Sequence, residues 1–479
     1  MEPTKEYEMV VSDPEKGNDG EEQLAIESVV VAEPKKDIVI ASRWDWLKAY
    51  WPEAPEEDKH SVPVLSYLEI FKIFLWFGCR AFGGPMAQIS MMKSELVDEG
   101  KWVSVARFNR VYAVYQVLPG PEATELACYF GYLAGGRFGA FLGGLGFVLP
   151  GFGAMLFWSF LYQKYGISSK NVQASFRAVQ NTVSAMIFRA TFKLAEASLV
   201  EKTTKAFNWR KGYLCLFCFL TTTIGLNFFI SLGIAGIMNA IFESSYVRYR
   251  DIVAIFISMC TIGFYILYVA LNSIPSGSLI GANSSVGTST SLASLFELGL
   301  IAGLVTFGGA YTTLPFVYSS AVVAGGWLSQ RQFLDAVAIT NMMPTPLVTF
   351  VCLIGYVGHG VGGAILMTLG IFIPAFSFTI IGHQFFESFV DNPFVHPFLD
   401  GVASAVIGLL LVTCFQFVKS VIGIDSAYHS GDSFDGKSLA GIDAVVFFLS
   451  FATLFYSTDK FTQPVLLLVS AIAGQTLYN

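Results

Sequence analysis

The chain contains one pattern of glycine, proline and tryptophan residues twice, and this duplication constrains its fold more than any other feature. Phe82-Gly83-Gly84 recurs as Phe307-Gly308-Gly309, 225 positions later (307 − 82). Leu118-Pro119-Gly120-Pro121 recurs at the same offset as Met343-Pro344-Thr345-Pro346. Trp102 recurs as Trp327 at this offset as well. This many matches in order are not a chance event, and they predict two homologous halves, which we place at residues 61–271 and 293–479.

The residues around these motifs are apolar enough to lie in a membrane. Of the 479 residues, 54% are hydrophobic and 14% are charged, whereas a soluble globular domain carries about 25% charged residues. Gly and Pro divide the apolar sequence into segments, and several are shorter than the roughly 20 residues that a transmembrane helix needs. We therefore predict an all-α, polytopic transmembrane bundle of two homologous halves with broken or re-entrant helices. An inverted relation between the halves is favoured, and the number of crossings stays open.

Negative charge is concentrated at the N-terminus. Residues 1–60 contain 16 Asp and Glu against 7 Lys and Arg, a net charge of −9, whereas the remaining chain has a net charge of +2. This segment is predicted to be a mostly disordered cytosolic tail. No basic tract offers a footprint for phosphates, so the composition excludes a nucleic-acid-binding protein.

A polar loop, residues 272–292, joins the two halves and contains the only N-x-S/T sequon, Asn283-Ser284-Ser285. If this loop lies outside the cytosol and the N-terminus inside it, the first half crosses the membrane an odd number of times and the repeat is inverted. A chance sequon in a serine-rich loop is the alternative, so the glycosylation of Asn283 stays open.

Each half has two helix breaks, Phe-Gly-Gly and Pro-x-Pro, which we interpret as walls of a binding cavity. Glycine lets backbones approach closely, and proline ends the helix before it. At membrane depth the freed backbone groups must line protein or a water-filled cavity, and a half-helix that begins there favours an anion. Paired breaks are typical of a transporter binding site, although breaks that only shape re-entrant turns are the alternative. The predicted contacts are these breaks and nearby hydroxyls: Phe82, Gly83, Gly84, Pro85, Pro119, Gly120, Pro121, Thr124, Phe307, Gly308, Gly309, Pro344, Thr345, Pro346 and Thr349.

Two cations precede the first break on one predicted helix face, since Lys72, Trp76 and Arg80 are spaced four residues apart. An ionisable group inside a membrane helix is costly and indicates function. Arg80 is therefore predicted to make a forked contact to an oxyanion, and Lys72 to add supporting charge. Lys72 is equivalent to Glu297 in the second half, so these two side chains could pair. Snorkelling of both cations to lipid headgroups is the alternative.

Three carboxylates are candidates for proton coupling. Glu122 and Glu125 share a helix face in the first turn after the first Pro-x-Pro break, and Glu297 lies in the second half. Once buried, Glu122 and Glu125 could take up protons or bind a cation, whereas stabilisation of a helix N-terminus is the alternative. Leu347 and Phe350 occupy their equivalent positions, so the two halves differ chemically here.

Motifs of enzymes and of ATP-driven pumps do not occur in the sequence, which has no P-loop, GxSxG or HExxH pattern. The five His residues have no metal-ligand spacing, and the seven Cys residues all lie in apolar segments. We therefore expect no enzymatic activity, no cofactor, no metal site and no disulfide.

At its motifs the sequence resembles the chromate ion transporter (CHR) family in its long, two-domain form. The resemblance covers both halves but neither the acidic tail nor the inter-half loop, and rests on Ala81-Phe82-Gly83-Gly84-Pro85, Gly100-Lys101-Trp102, Leu118-Pro119-Gly120-Pro121-Glu122, Phe147-Val148-Leu149-Pro150-Gly151, Thr306-Phe307-Gly308-Gly309-Ala310-Tyr311, Gly325-Gly326-Trp327-Leu328 and Phe398-Leu399-Asp400-Gly401-Val402. It implies export or exchange of chromate, with sulfate as the structural analogue, by halves of opposite topology. Thr345 stands where the family has glycine, which puts a symmetric role of this break in doubt. The acidic tail and the sequon indicate a eukaryotic member, in which sulfate or another dianion is the alternative substrate.

The residues and the resemblance together predict a secondary active transporter of tetrahedral oxyanions, chromate or sulfate, that works by alternating access. Its partners would be the small inorganic anion, the lipid bilayer and a coupling proton or counter-anion, as in an antiporter, while a homodimer stays open. The plasma membrane is the expected residence, with the N-terminus in the cytosol. A transporter or channel for a different anion and, less favoured, a membrane-embedded enzyme are the alternatives.

Overall fold

The structure is a computed structural model that describes residues 62–63, 65–165, 170–200, 205–244, 249–272, 290–306, 309–390, 395–421, 436–457 and 462–478. The acidic tail, residues 273–289 of the inter-half loop with Asn283, and the pair Phe307 and Gly308 lie outside the described residues.

The described residues form fifteen α-helices, short 3-10 and π segments and one isolated β-bridge, which confirms the all-α prediction. The first half contains α1 Tyr67–Cys79, α2 Gly84–Met92, α3 Val105–Val117, α4 Glu122–Tyr165, α5 Lys170–Leu199, α6 Trp209–Thr223, α7 Phe228–Glu243 and α8 Arg250–Asn272. The second half contains α9 Leu292–Leu304, α10 Thr313–Tyr318, α11 Gln330–Met342, α12 Val351–Val390, α13 Val395–Val421, α14 Gly436–Tyr456 and α15 Thr462–Leu477.

Several of these helices are suited to a lipid environment. Within the described residues, four spans are long and apolar enough to cross a membrane, namely Glu122–Tyr165, Arg250–Leu267, Leu347–Gly382 and Val395–Lys419. Large apolar side chains such as Phe264, Ile381 and Phe448 are more than half exposed on the helix surfaces. An apolar surface of this kind is expected against lipid, and the architecture is that of a polytopic membrane protein.

The long helix α4 is a tight helical hairpin. The backbone leaves the helical region at Gly135 and Gly136, where φ reaches +63°, and the two arms of the helix lie side by side. A side chain on Gly131 would collide with the carbonyl oxygen of Gly139 on the opposite arm. Glycine is required where the two arms touch, because only a hydrogen atom fits between the two backbones.

The second half repeats this hairpin in α12. The turn lies at His359 and Gly360, and Gly355 meets the backbone of Gly363 as Gly131 meets Gly139. A preceding helix packs on each hairpin, α1 on α4 and α9 on α12. The two hairpins also pack on each other, so the duplicated units share one interface.

Outside the hairpins, helices of each half pack on helices of the other half. Helix α5 of the first half packs on α14 and α15 of the second, while α13 of the second half packs on α6 and α7 of the first. Helices α5 and α13 also contact each other. A two-fold relation between the halves accounts for this reciprocal pattern, because equivalent helices then make equivalent contacts. Neither half therefore completes its packing alone.

The helices are interrupted at all four predicted breaks. In the first half, α1 and α2 are separated at Phe-Gly-Gly, and α3 and α4 at residues 118–121. In the second half the same interruptions follow α9 and α11. The backbone at Gly83, Gly120 and Gly309 has φ of +88°, +154° and +117°. These positions favour glycine, because other residues rarely adopt positive φ.

A buried ion pair joins the first half to the second at the α5–α14 contact. Arg177 Nη2 lies 2.6 Å from Asp443 Oδ2, and the two side chains are 4% and 2% exposed. The amide of Asn181 donates to Asp443 over 2.7 Å, and the hydroxyl of Tyr478 donates to the same carboxylate. Because this pair is almost fully desolvated, removing one partner leaves an uncompensated buried charge.

We expect Gly131→Ala to destabilise the protein by about 1–3 kcal/mol, because the added methyl group collides with the opposite arm of the hairpin. Gly153→Ala is the matched control, since it lies on the same helix and its added methyl group would meet no atom within 4 Å. Both substitutions gain the same helix propensity, so their difference isolates the collision. Thermal unfolding of the purified protein in detergent measures it, and equal midpoints would show that the close approach is not needed.

We expect Arg177→Met to reduce the free energy of unfolding by about 3–5 kcal/mol, because Asp443 then stays buried without its cation. The double variant Arg177→Met, Asp443→Leu should regain most of this loss, since neither charge remains. Denaturant titration in detergent compares the two variants. A double variant as unstable as the single one would contradict the assignment of the loss to the unpaired carboxylate.

Candidate functional site

The Pro-Gly-Pro break of the first half lies against the Phe-Gly-Gly break of the second half, at what we call the first crossing. The N–H of Gly120 donates to the C=O of Thr306, the residue before Phe307, over 2.8 Å. A Cβ built on Gly309 would lie 3.8 Å from Oε1 of Glu122. A backbone group freed by one break is therefore satisfied by the other half, as burial away from water requires.

The reciprocal contact, the second crossing, joins the Pro-Thr-Pro break to the first Phe-Gly-Gly break. The side-chain amide of Gln88 on α2 donates to the C=O of Ala81 over 2.8 Å and to the C=O of Thr345 over 3.0 Å. Gln88 is buried. A side chain thus makes the link that a direct backbone hydrogen bond makes in the first crossing.

The two Phe-Gly-Gly breaks also approach each other. A Cβ built on Gly84 would lie 3.9 Å from Oη of Tyr311, which follows the second break, and 3.7 Å from Oε1 of Gln463 on α15. Phe82 and Pro85 are half-buried beside Gly84. The described residues of the breaks in both halves therefore meet in one region of the bundle, while Phe307 and Gly308 lie outside the residues described.

Two carboxylates are buried at the first crossing. Glu122 is 6% exposed and Glu125 is 0% exposed. The carboxylate of Glu125 lies over Gly120, and among the described residues neither of its oxygens accepts a hydrogen bond. Tyr112 lies within hydrogen-bonding reach of Glu122, while the buried hydroxyl of Thr124 has no partner in the described ranges. The first crossing thus contains polar groups that the described part of the protein does not satisfy.

The second crossing carries no carboxylate among the described residues and satisfies its threonine hydroxyls, whereas Oε1 of Gln88 is buried there without a hydrogen-bond partner. The hydroxyls of Thr345 and Thr349 lie 2.6 Å apart, and Thr349 also donates to the backbone of Pro346 over 2.7 Å. Leu347 and Phe350 are buried at the positions equivalent to the two glutamates. The four breaks therefore form a nearly symmetric scaffold with different chemistry on its two sides.

One buried cation lies beside the second Phe-Gly-Gly break. Arg189 of α5 is 8% exposed, and its Nε has no hydrogen-bond partner in the structure as described. Tyr311 lies near it, since α5 packs on the 3-10 turn Ala310–Thr312 that carries this tyrosine. The ion pairs of the described residues do not include Arg189.

The structure places the other predicted charges on the surface. Nη1 of Arg80 lies 2.7 Å from Oε1 of Glu95, and its Cζ lies 5.3 Å from the centroid of the Trp76 ring. The Arg80 side chain is 44% exposed. Lys72 is exposed in an open groove of about 410 Å³ that Trp76 and Glu95 also line. Glu297 is exposed on α9, and the ion pairs found within the described ranges do not join it to Lys72. The geometry therefore does not bring Arg80, Lys72 or Glu297 to the meeting point of the breaks.

Sequence reasoning did not single out three residues that the structure brings to this region, Gln88, Tyr311 and Arg189. A signal existed for Arg189, because an arginine within an apolar membrane segment is a functional candidate by default. Gln88 and Tyr311 are uncharged and follow the two Phe-Gly-Gly motifs by a few residues, and only the tertiary contacts bring them between the breaks.

Comparisons with known proteins agree with the duplicated architecture. The family model described as chromate transporter matches the chain twice, at residues 68–240 and 293–475. A chromate transport protein of Pseudomonas aeruginosa is 37% identical over 416 residues, which cover 87% of this chain and 94% of that protein. A probable chromate transport protein of Synechococcus elongatus is 28% identical over 88% of this chain and 98% of its own length. A chromate transport protein of Cupriavidus metallidurans is 26% identical over 88% of this chain and 95% of its own length.

No solved structure matches the chain significantly. The family model nevertheless covers most of the sequence, and the relatives are named as transporters and not as enzymes. Both matched segments contain a Phe-Gly-Gly and a Pro-x-Pro break, the motifs that meet in the structure. The chain therefore belongs to the chromate transporter family and is an integral, multi-pass membrane transporter.

Proposed function

We propose that the protein moves tetrahedral oxyanions, chromate or sulfate, across the membrane by alternating access, and that the substrate binds where the four breaks meet. The relatives named as chromate transport proteins support chromate as a substrate. Sulfate is included because it has the same tetrahedral shape and the same double negative charge, so a site built for one would accept the other.

The observation that carries this proposal is the reciprocal contact between the breaks. Gly120 binds Thr306 and Gln88 binds Thr345, so each Pro-x-Pro break is tied to the Phe-Gly-Gly break of the other half. Interrupted helices at membrane depth are tolerated where they line a protein-enclosed or aqueous cavity. Two such interruptions in equivalent positions are the arrangement expected of a substrate site between repeats.

The first Phe-Gly-Gly break supports an anionic substrate. Helix α2 begins at Gly84 and is preceded by Gly83, which has no side chain to cap the first turn. The free N–H groups of a first helical turn and the positive end of the helix dipole both favour an anion. Phe82, Pro85, Pro119, Pro121 and Pro344 would then shape the cavity wall around these groups.

Alternating access would follow from the exchanged packing of the two halves. A rocking movement of one half changes both crossings at once, because each crossing contains one break from each half. We propose that the halves have inverted topology. Helix α8, at the end of the first half, follows the segment that the second half repeats, and it would supply the single additional membrane crossing that inversion requires if each repeated segment crosses an even number of times.

We propose that Glu125, with Glu122 beside it, carries the coupling proton. A buried carboxylate that accepts no hydrogen bond and faces no cation must be neutralised by something it binds, and a proton is the smallest such partner. An arriving dianion would repel both carboxylates, so their protonation and anion binding would depend on each other. Glu297 is the weaker candidate, because its exposed position gives it no contact with the breaks.

The cellular setting is also part of the proposal. We place the protein in the plasma membrane with the N-terminus in the cytosol, because the acidic segment of residues 1–60 is suited to an aqueous environment and not to the bilayer. Residues 61–271 and 293–479 would form its two functional halves. A proton or a counter-anion would provide the driving force.

We expect counterflow of labelled sulfate in proteoliposomes. Vesicles loaded with unlabelled sulfate and diluted into trace labelled sulfate should accumulate label transiently, because only an alternating carrier exchanges one anion for another. External chromate in excess should suppress this accumulation by occupying the same site. Label that only equilibrates, without a transient overshoot, would indicate a passive channel and contradict the proposal.

We expect Glu125→Gln to abolish the dependence of sulfate flux on a pH gradient while preserving sulfate–sulfate counterflow, because the amide cannot bind and release a proton. Glu99→Gln, at an exposed position outside the breaks, is the matched control and should retain the pH dependence. Comparison of flux with and without an imposed gradient gives the result. A Glu125→Gln protein that still responds to the gradient would remove this residue from the coupling step.

A further inference from the structure

Helix α5 carries two buried arginines three turns apart, and their environments are opposite. Arg177 is held by Asp443 at 2.6 Å, with Asn181 and Tyr478 completing the network around that carboxylate. Arg189 is 8% exposed, and no carboxylate pairs with it in the described residues. One helix therefore presents a neutralised cation to the α14 interface and an unpaired cation to the region of the breaks.

The neighbours of Arg189 place it between the duplicated motifs. Tyr311, which lies near Arg189, follows the second Phe-Gly-Gly break. A Cβ built on Gly84 of the first break would lie 3.9 Å from the hydroxyl of this tyrosine. Lys193, one turn further along α5, is exposed and lies near Glu196 as well as Arg189, so a carboxylate balances its charge.

A buried guanidinium without a carboxylate needs another source of negative charge, because transfer of an unpaired ion out of water is strongly unfavourable. Guanidinium is also the side chain best suited to bind two oxygens of an oxyanion at once. The free Nε of Arg189 supplies one donor of such a forked contact.

We propose that Arg189 is the residue that binds the oxyanion, with the hydroxyl of Tyr311 beside it as a second donor. This inference rests on the proposed function and adds a specificity-determining side chain to the site. The described structure offers Arg189 no negatively charged partner, and the transported dianion supplies one. Arg80, whose charge is already balanced by Glu95 at the surface, has no such need.

The test compares Arg189→Gln and Arg189→Lys with Lys193→Gln, which removes an exposed cation from the same helix. We expect Arg189→Gln to raise the KM for sulfate counterflow at least about tenfold, the loss that one charged hydrogen bond implies. Arg189→Lys, which keeps the charge and loses the fork, should fall between this variant and the wild type. Lys193→Gln should keep the wild-type KM.

A second readout is the thermal stabilisation of the detergent-purified proteins by sulfate and by chromate. A ligand that binds only the folded state raises the midpoint of thermal unfolding. This stabilisation by the anions should therefore be lost in Arg189→Gln and retained in Lys193→Gln. Arg189→Gln with wild-type KM and wild-type stabilisation would overturn the proposal. If neither Arg189 variant yields a monodisperse folded protein, Arg189 is a structural residue and the proposal is also overturned.

These measurements separate the two proposals. A wild-type protein without counterflow, but with anion stabilisation that depends on Arg189, would reject the alternating-access transport and keep the binding residue. Counterflow that is unaffected by Arg189→Gln would keep the transport and reject the binding residue.

Discussion

The need to satisfy backbone polar groups inside a membrane determines how the two halves of this protein fit together. A helix that stops at Phe-Gly-Gly or Pro-x-Pro leaves N–H and C=O groups without intrahelical partners, and lipid offers none. Hydrogen bonds at the two crossings provide such partners. The N–H of Gly120 donates to the C=O of Thr306, and the side-chain amide of Gln88 donates to the C=O groups of Thr345 and Ala81. Each half therefore depends on the other for hydrogen bonds at the points where its own helices are interrupted.

Unbalanced charge is what distinguishes the candidate site from the rest of the interface between the halves. At the α5–α14 contact, Arg177 and Asp443 neutralise each other, so this contact supports the fold and offers nothing to a ligand. At the breaks, Arg189 and Glu125 are both buried without opposite partners in the described structure. Burial of unpaired charged groups is energetically unfavourable. A transported anion would pair with Arg189, and a coupling proton would neutralise Glu125.

The sequence predicts the scaffold well and the side-chain chemistry only in part. The duplication, the all-α class and the four helix breaks follow from local signals, because glycine and proline act on their own backbone. The crossed contacts do not, since residues 120 and 306 are far apart in the chain and no local rule pairs them. The sequence favours Arg80 because it is an ionisable residue on a helix face that leads into the first Phe-Gly-Gly break, whereas the fold turns its guanidinium to Glu95 and brings in Arg189 from another helix.

The difference between the halves bears on how many anions such a site can hold. A scaffold with exact two-fold chemistry would offer two equivalent sites, one at each crossing. Here Glu122, Glu125 and Arg189 all come from the first half, whereas Leu347 and Phe350 replace the glutamates, and α13 carries its only Lys or Arg, Lys419, in its last turn. The repeat thus preserves the backbone geometry of the breaks while one half supplies the charges, and under the proposed transport this arrangement would hold a single dianion per cycle.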